Sequence, residues 1–339
     1  MWAVVLALLL IVAIMGRTIY KRLYHINVSK QIESTPYLLI PTGSDFDDVV
    51  TLLKQKNALI DENSFRWTAE QMKYTERIKP GRYKIEAGMN NKELIALLRS
   101  GRQSPVNLVF NNIRTKEQLA FRVAEQIEAG PDAVLNLLND PDYTAKLGFT
   151  VDNVLSLFIP NTYEMYWNTS ADKFIVRMHQ EYQKFWTQEK MKKAELTGLT
   201  PIEVSILASI VQQESNKKDE APLIAGVYMN RLKKDWKLEA DPTLVYAAGD
   251  FSIKRVLNIH KKIDSPYNTY KYKGLPPGPI CLPEIVYLNS VLDYSQHSYM
   301  YFCAKDDFSG YHNFATNYIQ HLLNARKFQR ALNKRGIKS

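Results

Sequence analysis

Two cysteines, Cys281 and Cys303, are the whole thiol complement of the 339 residues, and neither stands in a C-x-x-C spacing. Neither a zinc site nor a thioredoxin-type motif is supported. The six histidines agree, since no H-E-x-x-H or H-x-H spacing occurs. The sequence therefore implies no metal and no cofactor. Two buried free thiols are the default, and a disulfide is the alternative in an oxidising compartment. A long basic run interleaved with aromatics is also missing, although the net charge is +9. Lysines are spread over the chain, and pairs such as Lys217/Lys218 and Lys233/Lys234 read as solvated surface. No nucleic-acid partner is expected, while anionic lipid or a carboxylate-bearing wall polymer stays compatible with the charge.

What is present is ordinary globular composition, with 45% hydrophobic and 23% charged residues, in a chain long enough for two domains. The N-terminus is different. Trp2 to Met15 is an unbroken apolar stretch of 14 residues that extends to Tyr20 if Arg17 snorkels to an interface. Spanning a bilayer takes roughly 20 residues and a secretory h-region about 7 to 15, so length alone leaves anchor and signal peptide open. No small-x-small cleavage site follows Ile14, which favours a transmembrane anchor over residues 1–24. A buried core helix is the remaining reading. Arg17, Lys21 and Arg22 all follow the segment, and by the positive-inside rule this argues for a cytoplasmic body.

After a polar linker around Asn27 to Ser34, YLLIPTGSDFDDVVTLL reads as a strand, a Pro-Thr-Gly turn, a Ser44 cap with Asp47 three residues on, and an amphipathic helix. The pattern recurs in YKIEAGMNNKELIALLRSG, with Asn90 and Glu93 as the capping box and Gly101 as the stop, and more loosely with Thr115 and Gln118. The first two copies enclose a small α/β module over 35–104 that resembles a LysM-like glycan-binding domain. A plain spacer domain is the other reading. Ser170 to Gly198 has the pattern of one long amphipathic helix with Phe174, Met178, Tyr182 and Phe185 on a stripe. The aromatic run from Phe158 to Trp167 suits either a sugar-binding wall or a core cluster.

The chemistry concentrates in PIEVSILASIVQQES, a helix that starts at Thr200-Pro201. Leu207, Ile210, Val211 and Glu214 fall at i, i+3, i+4 and i+7, so an acid continues the buried stripe. Burial and a place near the negative end of the helix dipole both raise a carboxyl pKa, which suits a general acid. An ion pair with Lys217 or Lys218 is the structural alternative.

GVYMNRL at 226–232, LEADPTLVYAAGD at 238–250 and SPYNTYKYKGLPPGPI at 265–280 follow in order, and the C-terminal YMYFCAKDDFSGYHNFATNYIQH closes the series. Together with LASIVQQES they resemble the endolytic murein transglycosylase family over roughly residues 35 to 330. The resemblance implies an α+β protein: an N-terminal transmembrane helix, the LysM-like module, and a mixed α+β catalytic domain over 105–335. It makes Glu214 the catalytic acid. In such an enzyme one carboxyl suffices: it protonates the bond between N-acetylmuramic acid and N-acetylglucosamine, then accepts the proton of the muramoyl C6 hydroxyl, which closes a 1,6-anhydro ring. Substrate-binding candidates are Asp241, Tyr267, Asn268, Thr269, Tyr270 and Asn313. Asp241 also reads as a helix N-cap before Pro242, and 267–270 as a structural turn. Gln212 and Asn161 depart from the family pattern, which often has acids there. The implied partners are peptidoglycan glycan strands, the membrane and peptidoglycan synthases. The implied location is the bacterial cytoplasmic membrane, with the catalytic part outside the cytoplasm. A hydrolase on the same substrate and a catalytically silent wall-binding scaffold are the rival readings.

Overall fold

In the computed structural model, which describes residues 2–335, the apolar N-terminus is one helix, α1 (Trp2–Tyr24), with no buried side chain. At 1.5 Å per residue it extends about 34 Å, enough to cross a hydrocarbon core of about 30 Å, and its composition fits that length. The rest divides into two compact units. The first runs to Leu108 and takes back residues 124–129 and 163–170; the second holds Val109–Val123, Gly130–Thr162 and the chain from Ala171 on.

The first unit continues with β1 (Tyr37–Ile40), α2 (Phe46–Gln55), α3 (Glu62–Gln71), β2 (Gly81–Lys84), α4 (Asn91–Ser100) and β3 (Val106–Val109). β1 and β2 pair antiparallel, Leu38 opposite Tyr83. Leu38, Ile40, Val50, Phe65, Tyr83 and Leu94 fill the core between them. The expected linker is not a free segment: Val28 and Ile32 are buried in that core, and Ser29 caps a short 3-10 turn. The cap of α2 lies one residue later than its sequence pattern suggests. Asp45 accepts from the Asp48 amide and Asp48 returns the bond to the Asp45 amide, so two carboxylates sit where the helix dipole is positive. Asn90 and Glu93 form the expected box at α4, and Gly101 ends that helix at φ 73, where a side chain would be strained.

The second unit begins with α5 (Lys116–Ala124), α6 (Pro131–Asn139), α7 (Pro141–Lys146) and α8 (Ala171–Phe185), while β4 (Thr162–Met165), before α8, falls mostly in the 163–170 segment of the first unit and pairs there with β3. The single helix expected to Gly198 is two: α9 (Gln188–Thr197) starts afresh. The break has a physical cause. The Thr187 hydroxyl accepts from the Lys190 amide, and Trp186 turns into the core against Tyr182 and Phe185. Phe158 belongs to a core cluster, stacked on Phe174 and edge-on to Phe110.

α10 (Pro201–Glu214), α11 (Ala221–Lys233), α12 (Asp241–Ala248) and α13 (Ile285–Leu292) follow, then the antiparallel hairpin β5 (Tyr301–Ala304) and β6 (His312–Ala315), and α14 (Tyr318–Lys334). Every side chain from Val204 to Val211 is buried, so α10 is the central helix of the unit. Cys281 is buried, Cys303 partly so, and both are free thiols.

Candidate active site

The last turn of α10 is fastened on both flanks. Gln212 accepts from the Glu284 amide at 2.7 Å, Gln213 accepts from the Arg114 guanidinium at 2.6 Å, and the Tyr287 hydroxyl donates to the Ser215 carbonyl. The two glutamines spend their side-chain oxygens on scaffolding, and Glu214 lines the cleft beside Gln213.

Glu214 is only partly open to solvent. One carboxyl oxygen accepts from the Tyr228 hydroxyl at 2.5 Å, and Tyr228 is itself buried in α11. Burial drives the Glu214 pKa up to about 7; the Tyr228 bond pulls it down, the nearby Asp241 carboxylate pushes it up, and Arg231 pulls it down. The desolvation cost of the charged form wins. Among the described residues no lysine pairs with the acid: Lys218 pairs with Glu284 at 2.6 Å, and Lys217 lies over the Tyr311 ring.

Glu214 and Asp241 face one open cleft of about 350 Å³ whose other walls include Arg114, Phe251, Lys254 and Arg255. Arg114 is stacked over the Phe251 ring at 4.8 Å. Asp241 does not cap α12. It is the first residue of the helix, Ala240 precedes it without a side-chain cap, and its carboxylate accepts from the Tyr270 hydroxyl at 2.6 Å. The Tyr270 pKa is raised by burial and by that carboxylate.

The other sequence candidates lie elsewhere in the scaffold. Asn268 is fully buried. Its amide donates to the Lys261 and Ile263 carbonyls and its oxygen accepts from the Tyr270 and Lys271 amides. The Thr269 hydroxyl accepts from the Ala240 amide and bonds Thr243. Tyr267 packs on Tyr246 with ring centroids 4.6 Å apart. Thr269 therefore holds the start of α12, and with it Asp241, while Tyr267 packs on the later part of the helix and Asn268 fixes the loop that carries both. Asn313 is on β6 opposite Cys303 and lines a separate cavity beside α14.

The remaining motifs also resolve into scaffold. A Cβ on Gly278 would lie 2.0 Å from the Asp152 carbonyl oxygen, and one on Gly226 would lie 2.4 Å from the Ser295 carbonyl oxygen, so both positions require glycine for close approach. Asn230 donates to the His297 and Tyr299 carbonyls, and Arg231 to those of Met300 and Leu238. Sequence reasoning missed Tyr228, whose place in GVYMNRL was the only signal, and it missed the cations Arg114, Lys254 and Arg255, which carry no local pattern. Among the described residues no group of three or more His, Cys, Asp or Glu side chains converges as a metal site.

The site is thus one open cleft in which a carboxyl raised toward neutrality, Glu214, shares the lining with a second carboxyl, Asp241. The chain belongs to the YceG-like family, which it matches over residues 38–327. The endolytic murein transglycosylase of Bacillus subtilis (strain 168) is 28% identical over 299 residues, covering 83% of this chain and 81% of that one. The endolytic murein transglycosylase of Streptococcus pneumoniae serotype 2 (strain D39) is 26% identical; the match covers 78% of this chain and only 53%, about half, of the relative. Among solved structures, a yceG-like protein from Listeria monocytogenes aligns with TM-score 0.56 at 27% identity, over 85% of this chain and 98% of the other.

Proposed function

We propose that the chain is an endolytic peptidoglycan lytic transglycosylase with Glu214 as its catalytic acid and base. The observation that carries this is the Glu214 carboxyl, raised to about 7 by burial at the floor of the cleft, so that it exists in both protonation states near neutrality. The names of the two curated relatives supply the substrate class.

In the proposed reaction the Glu214 proton passes to the glycosidic oxygen as the C1–O4 bond between N-acetylmuramic acid and N-acetylglucosamine breaks. The Glu214 carboxylate then takes the C6 hydroxyl proton while that oxygen bonds to C1. The enzyme ends in its starting protonation state, and the strand ends in a 1,6-anhydro sugar. Proximity of a nucleophile on the same ring replaces the second carboxylate of a hydrolase. The cleft cations Arg114, Lys254 and Arg255 suit an acidic glycan.

Asp241 supports a second reading. A carboxylate sharing the cleft with the acid is what an inverting or retaining hydrolase needs. Mass spectrometry of glycan strands incubated with the full-length protein and with Glu214→Gln separates the readings. Anhydro ends from wild type alone support the transglycosylase, reducing ends the hydrolase, and no cleavage by folded protein the binding scaffold.

Around this centre we place an anchor over 1–24, a LysM-like module over 35–104 and a catalytic domain over 105–335. The strand, two helices, antiparallel strand order of β1 to β2 supports the module reading. The substrate class puts the body outside the cytoplasm, against the charge rule, in a single-pass protein of the cytoplasmic membrane. Shortening of new strands makes peptidoglycan synthases its natural partners.

A further inference from the structure

We propose that the junction between α1 and the first unit is a binding site for the phosphate headgroup of an anionic phospholipid. The proposal rests on the reading of α1 as a membrane anchor. Arg17, Lys21 and Arg22 from the end of α1 and His25 just after it, with Ile60 and Asp61 before α3, line a cavity of about 570 Å³. Arg17 and Lys21 are one helical turn apart, so they share a face.

The cavity has fixed walls. The Arg22 carbonyl, left without a helical partner at the end of α1, accepts from Asn91 at 2.8 Å, Thr68 at 3.2 Å and Ser64 at 3.3 Å. Asn27 ties this cluster together through Asn91 at 2.6 Å and the Asp61 amide at 2.7 Å, and all four side chains are buried. The helix is thus clamped to the unit rather than hinged from it.

Its positive charge is not spent within the protein. Arg17 and Lys21 are exposed and enter no ion pair or side-chain hydrogen bond among the described residues. Arg22 stacks on the Trp67 ring at 5.0 Å. The one carboxylate in the lining, Asp61, caps α3 through the Ser64 amide.

The depth is that of headgroups. Arg17 and Lys21 follow Met15, the end of the unbroken apolar run, by two and six positions, or about 3 and 9 Å along the helix, from where their long side chains snorkel to the interfacial layer. Ile26 and Ile60, on the cavity rim, are 54% and 63% exposed, and Tyr20 is 66% exposed; an apolar and aromatic rim beside cations fits a bilayer surface. The site also gives the cations that follow the span a reason to be on the same side as the body.

The test uses the full-length chain in nanodiscs of phosphatidylcholine and phosphatidylglycerol, with retained lipid counted by native mass spectrometry after exchange into neutral detergent. Wild type, Arg17→Gln/Lys21→Gln and the charge-matched Lys30→Gln/Lys84→Gln are compared. Wild type and the control are expected to keep a phosphatidylglycerol that the Arg17/Lys21 variant holds about tenfold or more weakly. Equal retention by all three overturns the site alone. Inorganic phosphate that displaces the lipid at low millimolar concentration assigns the cavity to free phosphate and overturns the lipid. A wild-type chain that stays soluble without detergent overturns the anchor reading and this site with it.

Discussion

The Tyr228 hydroxyl, buried in α11, donates to Glu214 at the end of α10 across 2.5 Å. This bond favours the carboxylate, against a burial that favours the acid. A general acid that must next act as a base needs both tendencies.

Tyr228→Phe removes the donor and keeps the ring that meets Phe302 edge-on at 5.9 Å. The Glu214 pKa should rise, and the alkaline limb of the pH–rate profile should move to higher pH. The rate should drop about tenfold or more because the carboxylate form is stabilised less. A limb that stays in place would mean that the bond does not act on the working enzyme.

Glu214→Gln should abolish turnover, a loss of about 10² to 10⁴, and should alter stability in a pH-dependent way. The folded pKa of about 7 lies above the ordinary carboxyl value of 4.5. The folded state therefore binds the proton more tightly, and wild-type stability erodes as pH rises from 4.5 to 7. Glutamine carries no such cost. Melting of the two proteins in detergent should nearly coincide at pH 4.5 and diverge in favour of the variant, by about 3 kcal/mol, above pH 7. Parallel curves across that range would contradict a raised pKa.

Lys254→Gln/Arg255→Gln should raise KM for glycan strands about tenfold and leave kcat within about twofold, since both side chains are exposed and lie on the cleft wall. Wild-type KM should rise with salt more steeply than that of the variant. Equal salt slopes would show that the cations do not meet the substrate.

Asn268→Ala and Gly278→Ala probe scaffold. The first strands four hydrogen-bonding partners around a buried amide and should cost about 2 to 4 kcal/mol. The second drives a methyl against the Asp152 carbonyl and should cost about 1 to 3 kcal/mol. Thermal melts at the wild-type temperature would refute the packing described.

The long apolar helix α1, the box at Asn90 and Glu93 and the burial of α10 were legible because each is written in a few adjacent residues. The break at Trp186–Thr187 was not, since the apolar stripe runs on across it and only the tertiary need to bury Trp186 decides. Glu214 stood out as an acid on an apolar stripe. Its partner Tyr228 is 14 residues away, in a helix where a tyrosine looks like any other core ring. Asn268 has the composition of a ligand-binding residue, and nothing local reveals that its four bonds close on its own backbone neighbourhood.

The clasp that Asn230 and Arg231 make on the chain from His297 to Met300 separates shape from chemistry. Much of what makes this lineage recognisable holds the architecture together, while the proposed reactive group is one carboxyl that hydrogen-bonds to Tyr228 and to neither of those fastening side chains. A descendant could lose Glu214 and keep its outline intact. Recognition by outline therefore also gathers inert copies, and the residue at position 214 is the first to inspect in telling them from enzymes.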